Sequence, residues 1–107
     1  LHQLFSFELL NITKNRTIAE SAVIINNLSG KALDVPGSTF KKGERLIQWE
    51  INRRFNQRFR FLKQGKGVVI QNVLNGLVLD IAQEKKDNGA KVVQWDKSGG
   101  SNQLWNP

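Results

Sequence analysis

Along this chain hydrophobic positions come in short runs, in which β-branched and aromatic residues alternate with polar ones and a helical spacing is poorly kept. The pattern predicts nine short strands, over residues 3–10, 21–26, 32–35, 45–49, 57–62, 68–72, 77–81, 91–95 and 103–105. Turn-forming clusters separate them: Ser29-Gly30-Lys31, Pro36-Gly37-Ser38, Asn75-Gly76, Asp87-Asn88-Gly89 and Ser98-Gly99-Gly100-Ser101. Gly, Asn and Asp accept positive φ and Pro fixes it. Pro36 ends its strand at Val35, because it has no N–H to give to a sheet ladder. Residues 82–86 favour helix, but Asn88 and Gly89 stop it after about one turn, too short to stand alone. A loop with room for a 3₁₀ turn is expected there. Alternation turns Val23, Ile25, Leu33, Val35, Val68, Ile70, Leu79 and Ile81 toward a core. These elements describe an all-β, antiparallel domain of barrel or sandwich type.

The pattern also repeats. Gly30, Leu33-Asp34-Val35, Gln48-Trp49 and Asn56-Gln57-Arg58-Phe59 recur 46 residues later as Gly76, Leu79-Asp80-Ile81, Gln94-Trp95 and Asn102-Gln103-Leu104-Trp105. Separated matches at one offset, with no gap, are the mark of an internal duplication. A fainter echo links Gln3-Leu4-Phe5-Ser6-Phe7 to Gln57-Arg58-Phe59-Arg60-Phe61 at a longer offset, which calls for a longer loop across residues 11–20.

Gly76-x-x-Leu79-Asp80-Ile81, Gly89-Ala90-x-Val92-Val93-Gln94-Trp95 and Asn102-Gln103-x-Trp105 together resemble one repeat of the ricin B-type (R-type) β-trefoil lectin family. Gly30-x-x-Leu33-Asp34-Val35, Gly43-Glu44, Gln48-Trp49 and Asn56-Gln57-x-Phe59 resemble another, with Phe in the last aromatic position. The resemblance implies a β-trefoil of three four-strand units, here incomplete, with the first three strands of the first unit missing. Three units of this repeat need about 138 residues against 107 present. Residues 1–10 then supply the last strand of the first unit, 11–62 the second unit and 63–107 the third. The chain is accordingly expected to be a piece of a larger polypeptide, or to have its fold completed by an N-terminal segment or a second chain. Its Leu1-His2-Gln3 start reads as a trimmed end rather than a signal peptide.

The same resemblance implies glycans or glycoproteins as partners and two shallow sugar sites. Asp34, Trp49 and Asn56 form one, Asp80, Trp95 and Asn102 the other. The Asp accepts from sugar hydroxyls, the indole lies under the ring and the Asn holds a further hydroxyl. An indole suits the apolar face of a pyranose and a carboxylate suits its hydroxyl edge. Gln57, Phe59, Gln103 and Trp105 read as the structural core of each repeat. Many strong binders of the family carry Gln two residues before the platform aromatic. Here Ile47 and Val93 stand at that place, and Gln48 and Gln94, one residue later, are expected to point away from the sugar. For the tryptophans a core position, and for Asp34 and Asp80 a turn-capping role, stay open at this level.

Composition bounds these readings. A chain of 107 residues, 39% hydrophobic and 23% charged, makes one domain with a modest core. With no cysteine, disulfides, thiolate metal sites and cysteine nucleophiles are excluded; the lectin resemblance slightly favours an extracellular or cell-surface setting, and the lack of cysteine leaves a cytoplasmic one open. No apolar run is long enough for a membrane helix. No metal or cofactor motif occurs, and the single histidine, His2, lies at the terminus. Asp34 and Asp80 have the composition of a glycosidase pair, but their equivalence across a repeat speaks for duplicated binding sites and against catalysis. The net charge of +7 is uneven: residues 51–79 contain no acid but carry Arg53, Arg54, Arg58, Arg60, Lys63 and Lys66. This stretch supports an alternative, an interaction module for an anionic polymer such as a sulfated glycan, a nucleic acid or an acidic surface, with vestigial sugar sites, attached to a larger toxin, enzyme or receptor. Tripeptides at Asn11, Asn15 and Asn27 match the glycosylation acceptor pattern.

Overall fold

A computed structural model of the chain describes the backbone of residues 5–10 and the whole of residues 21–106. Eight strands are formed among them: β1 Phe5–Leu10, β2 Ser21–Asn26, β3 Ala32–Asp34, β4 Ile47–Trp49, β5 Phe59–Gln64, β6 Gly67–Asn72, β7 Val78–Ile81 and β8 Val92–Trp95. Single 3₁₀ turns occupy Pro36–Ser38, Phe55–Gln57, Ala82–Glu84 and Ser101–Gln103. The expected ends of the first strand at Gln3 and Leu4, the longer loop at 11–20, His2, Asn11 and Asn15 lie outside the described residues.

The strand pairs are antiparallel, in the order β4-β3-β2-β5-β6-β7-β8 with β1 on β2. The two ends of this path meet through the chain itself. Just ahead of β4, Gly43 N–H donates to Gln94 C=O, Gln94 N–H to Glu44 C=O and Leu46 N–H to Val92 C=O, and Arg45 bridges Val93. The sheet therefore curls round, and the outer edge of β8 is covered while that of β4 meets no described strand.

The ninth expected strand, 103–105, is not one. Ser101–Gln103 forms a 3₁₀ turn, and only Trp105 pairs, exchanging both backbone bonds with Val68. Residues 57–62 shift likewise: Gln57 lies in the Phe55–Gln57 turn and the strand runs from Phe59 to Gln64. The cause is the same in both places. The backbone N–H groups of Gln57, Arg58, Gln103 and Leu104 are spent on carbonyls three residues back, which closes a turn in place of a ladder, and the turn aims the Asn and Gln amides at an aspartate. The helix-prone 82–86 segment holds only the 3₁₀ turn.

The core is a cluster of Ile24, Val35, Leu46, Phe59 and Leu79, with Leu33, Ile70, Val92 and Trp105 packed against it. Of the expected core positions Val23, Val35 and Leu79 are buried, and Leu33, Ile70, Ile25, Ile81 and Val68 are half-buried. Alternation misses Ile24, because Ser21–Ile24 of β2 is buried on both faces.

The repeat seen in sequence returns as backbone bonding. Asn26 N–H donates to Lys31 C=O and Gly30 N–H to Asn26 C=O; Asn72 N–H donates to Leu77 C=O and Gly76 N–H to Asn72 C=O. Gly30 and Gly76 take φ of 70° and 74°, which glycine adopts without steric cost.

Candidate functional site

Each repeat builds one carboxylate hollow by the same means. β3 presents Asp34 across from Ile47 and Ala32 across from Trp49; β7 presents Asp80 across from Val93 and Val78 across from Trp95. Register therefore makes each Asp and its Trp diagonal neighbours on one face of a two-strand ladder, about 7–8 Å apart at their backbones. Each Asp also faces Ile47 or Val93, the aliphatic that stands in place of a Gln.

Both aspartates are buried, at 4% and 7% exposure, while Trp49 and Trp95 stand 59% and 45% exposed. That decides against a core role for the two indoles. Asp34 Oδ2 accepts from Asn56 Nδ2 at 3.1 Å and Gln57 Nε2 at 2.8 Å. Asp80 Oδ2 accepts from Asn102 Nδ2 at 3.1 Å and Gln103 Nε2 at 2.9 Å. Side-chain amides, rather than turn N–H groups, hold the carboxylates. Asn56 and Asn102 spend their second N–H on Val35 and Ile81 C=O, so each has only its Oδ1 left for a ligand. Among the described residues no donor reaches Oδ1 of either aspartate. Each hollow thus offers acceptors beside an exposed indole, a chemistry that suits a polyol with a carbon face.

Gln57 and Gln103 do more than stabilise a core. Gln57 also donates to Glu50 C=O and accepts from Asn52 and Arg53 N–H; Gln103 donates to Asp96 C=O and accepts from Ser98 N–H. Each pins the loop after its tryptophan to its aspartate. The recurrence of Asn-Gln at both places is the sequence signal for this role, but it does not reveal the Asp as partner. Phe59 is fully buried; its counterpart Trp105 is half-buried and donates from Nε1 to Leu79 C=O at 3.4 Å.

Gln94 points away from its tryptophan's exposed face, as expected. It is buried, donates to Thr39 and Lys41 C=O and accepts from Asn75 Nδ2, tying the Asp80 repeat to the loop of the Asp34 repeat. That loop also backs Trp95: a Cβ on Gly43 would lie 3.6 Å from its ring, and Lys42 pairs with Asp96. The counterpart Gln48 is exposed and accepts from Ser29 Oγ.

A cavity of about 350 Å³ lies against Asn56, lined by Ser38, Arg53, Arg54, Phe55, Asn56 and Leu74 but by neither Asp34 nor Trp49. Arg58 donates from Nε to Arg53 C=O and lies 5.4 Å from the Phe55 ring centroid. Arg53, Arg54 and Arg58 are thus gathered in one loop. Arg60 and Lys63 lie on β5 and Lys66 beyond its end, a strand about 17 Å long. Among the described residues no group of three or more His, Cys, Asp or Glu could hold a metal ion, and no helix is long and apolar enough to cross a membrane.

Comparison with known proteins fits this geometry. Among solved structures, a designed three-fold symmetric protein, ThreeFoil, superposes with a TM-score of 0.80 at 29% identity, over 94% of this chain and 69% of that one. An exo-β-1,3-galactanase from Clostridium thermocellum also reaches 0.80, at 30% identity, over 94% of this chain and 21% of that one. A Polyporus squamosus lectin, solved with a human-type influenza-binding epitope, reaches 0.75 at 15% identity over 95% and 34%, a likeness of fold. The chain therefore spans about two thirds of the first and about a fifth of the second. No curated protein matches. The fold is an all-β β-trefoil with incomplete coverage of the three-fold whole. The model of the ricin-type β-trefoil lectin domain-like family matches residues 2–95 and 55–107. Domains of this kind bind carbohydrate without catalysis, and the chain belongs to the ricin-type β-trefoil lectin family.

Proposed function

We propose that this lectin-like module binds glycans through two shallow sites, Asp34/Trp49/Asn56 and Asp80/Trp95/Asn102. The observation that carries the reading is the pairing, twice over, of an exposed indole with a buried, amide-held carboxylate at identical register. In each site the indole covers the carbon face of a sugar ring, and the Asp and Asn oxygens accept from its hydroxyls. Residues 11–62 and 63–107 act as the second and third units of the trefoil, with 1–10 closing a first unit. Glycans or glycoproteins are the partners.

Single sites of this shallow kind are weak, with a dissociation constant on the order of 0.1–1 mM; 1 mM corresponds to about −4.1 kcal/mol. Useful affinity comes from engaging both at once on a repeated glycan. A glycan array on the full chain, followed by calorimetric titration of the best ligand, tests the reading. Trp49→Ala and Trp95→Ala should each remove one site, and the double variant all binding. Failure of the folded chain to bind any glycan would overturn it.

A further inference from the structure

We infer that the two sites are unequal and that Gln94 makes them so: it is a positioning residue that holds Trp95 ready for a sugar from across the repeat boundary, so the Asp80 site fills before the Asp34 site. This ranking rests on the sugar-binding reading above and adds to it the order of occupancy and the residue that sets it.

Gln94 directly precedes Trp95 on β8, so the two side chains point to opposite sides of the strand. Trp95 is 45% exposed and Gln94 only 1%. Every polar group of Gln94 is bonded outside its own strand pair. Its Nε2 donates to Thr39 C=O at 3.2 Å and Lys41 C=O at 2.7 Å, and its Oε1 accepts from Asn75 Nδ2 at 2.8 Å. Its N–H donates to Glu44 C=O at 3.0 Å, and its C=O accepts from Gly43 N–H at 2.8 Å. All but the Asn75 bond end on residues 39–44, the loop that also brings Gly43 up to the Trp95 ring. Trp95 is therefore fixed from two sides, by its Val78 partner on β7 and by that loop through Gln94.

Trp49 has no such second anchor among the described residues. Its predecessor Gln48 is exposed and accepts from Ser29 Oγ of its own repeat. The outer edge of β4, the counterpart of the β8 edge that residues 43–46 cover, meets no described strand. Trp49 is the more exposed indole, at 59%. Both indoles stand in the same register beside equivalent aspartates, so what separates the sites is how firmly each platform is held. A platform fixed before the sugar arrives loses less freedom on binding, and ordering one side chain costs about two- to tenfold in affinity.

The test is a nuclear magnetic resonance titration of the full chain with the methyl glycosides of galactose, glucose, mannose and N-acetylglucosamine. The indole N–H signals of Trp49 and Trp95, assigned with Trp49→Phe and Trp95→Phe, report the two sites separately. With a glycoside that shifts both, the Trp95 signal should saturate at about two- to tenfold lower concentration than the Trp49 signal. Before any sugar is added, nitrogen relaxation should show the Trp95 indole to be the more rigid on the picosecond to nanosecond scale. Gln94→Met, close in size but without the amide, should loosen the Trp95 indole and bring its saturation to the Trp49 level, with the Trp49 response unchanged. Gln48→Met should alter neither site. Circular dichroism checks that each variant is folded. Should Gln94→Met fail to fold, Asn75→Ser, which gives Gln94 the neighbour that Gln48 has, should weaken the Trp95 response alone. Equal saturation of the two signals, or equal rigidity in the sugar-free chain, overturns the ranking and leaves the lectin reading intact. A Gln94 or Asn75 variant that weakens both sites alike, or neither, overturns the positioning role. Absence of any shift at either indole with every glycoside, in a chain whose Trp95 is the more rigid, removes the sugar-binding reading and the order of occupancy with it.

Discussion

Asp34 and Asp80 are each held by one oxygen, through two amide donors, so the other is aimed before any ligand arrives. The hydrogen bonds that aim it come from Asn56 and Gln57, or from Asn102 and Gln103, and burial makes each costly to lose. Gln57→Ala should strip the buried Asp34 carboxylate of one of its two amide donors, at about 1–3 kcal/mol. Urea unfolding measures that loss. Gly100→Ala acts more locally, because its new methyl group collides with Asn102 Oδ1. Its expected effect is a severalfold weaker Asp80 site in titration, with an unchanged far-ultraviolet spectrum. The residue types at these places were legible in the sequence because they recur at a fixed distance. What they touch was not. An Asn-Gln pair 22 residues beyond an aspartate has no local reason to reach back to it, and only the fold closes that gap. The cavity against Asn56 was hidden for the same reason, since Leu74 comes to it from the following repeat.

At the scale of elements the sequence spoke most clearly where turns are sharp. Gly30, Pro36 and Gly76 mark boundaries that the backbone respects. It misled where the backbone closes on carbonyls three residues back, at residues 57 and 103, both read as strand and both in 3₁₀ turns. Phe59, first residue of β5 and fully buried, joins β5 to the central cluster. Phe59→Ala should cost about 3–5 kcal/mol, seen as a lowered denaturation midpoint without a new ligand preference. The hairpin of β5 and β6 pairs six residues on each side, from Phe59↔Asn72 to Gln64↔Gly67. Lys63 and Lys66 sit toward its far end, while Arg53, Arg54 and Arg58 stay at its base. The basic stretch, continuous in sequence, is divided in space, and Arg53 and Arg54 at its base line the cavity.

The molecule as a whole is held together by bonds that cross from one repeat to the other. Gln94 reaches Thr39 and Lys41, Asn75 reaches Thr39, and residues 43–46 run along β8. Trp95 leans on Gly43, whose φ of 87° strains any residue with a side chain and where a Cβ would touch the ring at 3.6 Å, so a larger residue presses on the indole. Gly43→Val should therefore disturb Trp95: its fluorescence should shift and the Asp80 site should weaken, while binding measured at the Asp34 site holds. The consequence reaches beyond one variant. Duplicated pockets are usually thought free to diverge, each a spare for the other. Here the support of one pocket is written into the stretch of chain belonging to its twin. A change that leaves the earlier pocket untouched can silence the later one, so the later pocket is not free of its twin's sequence.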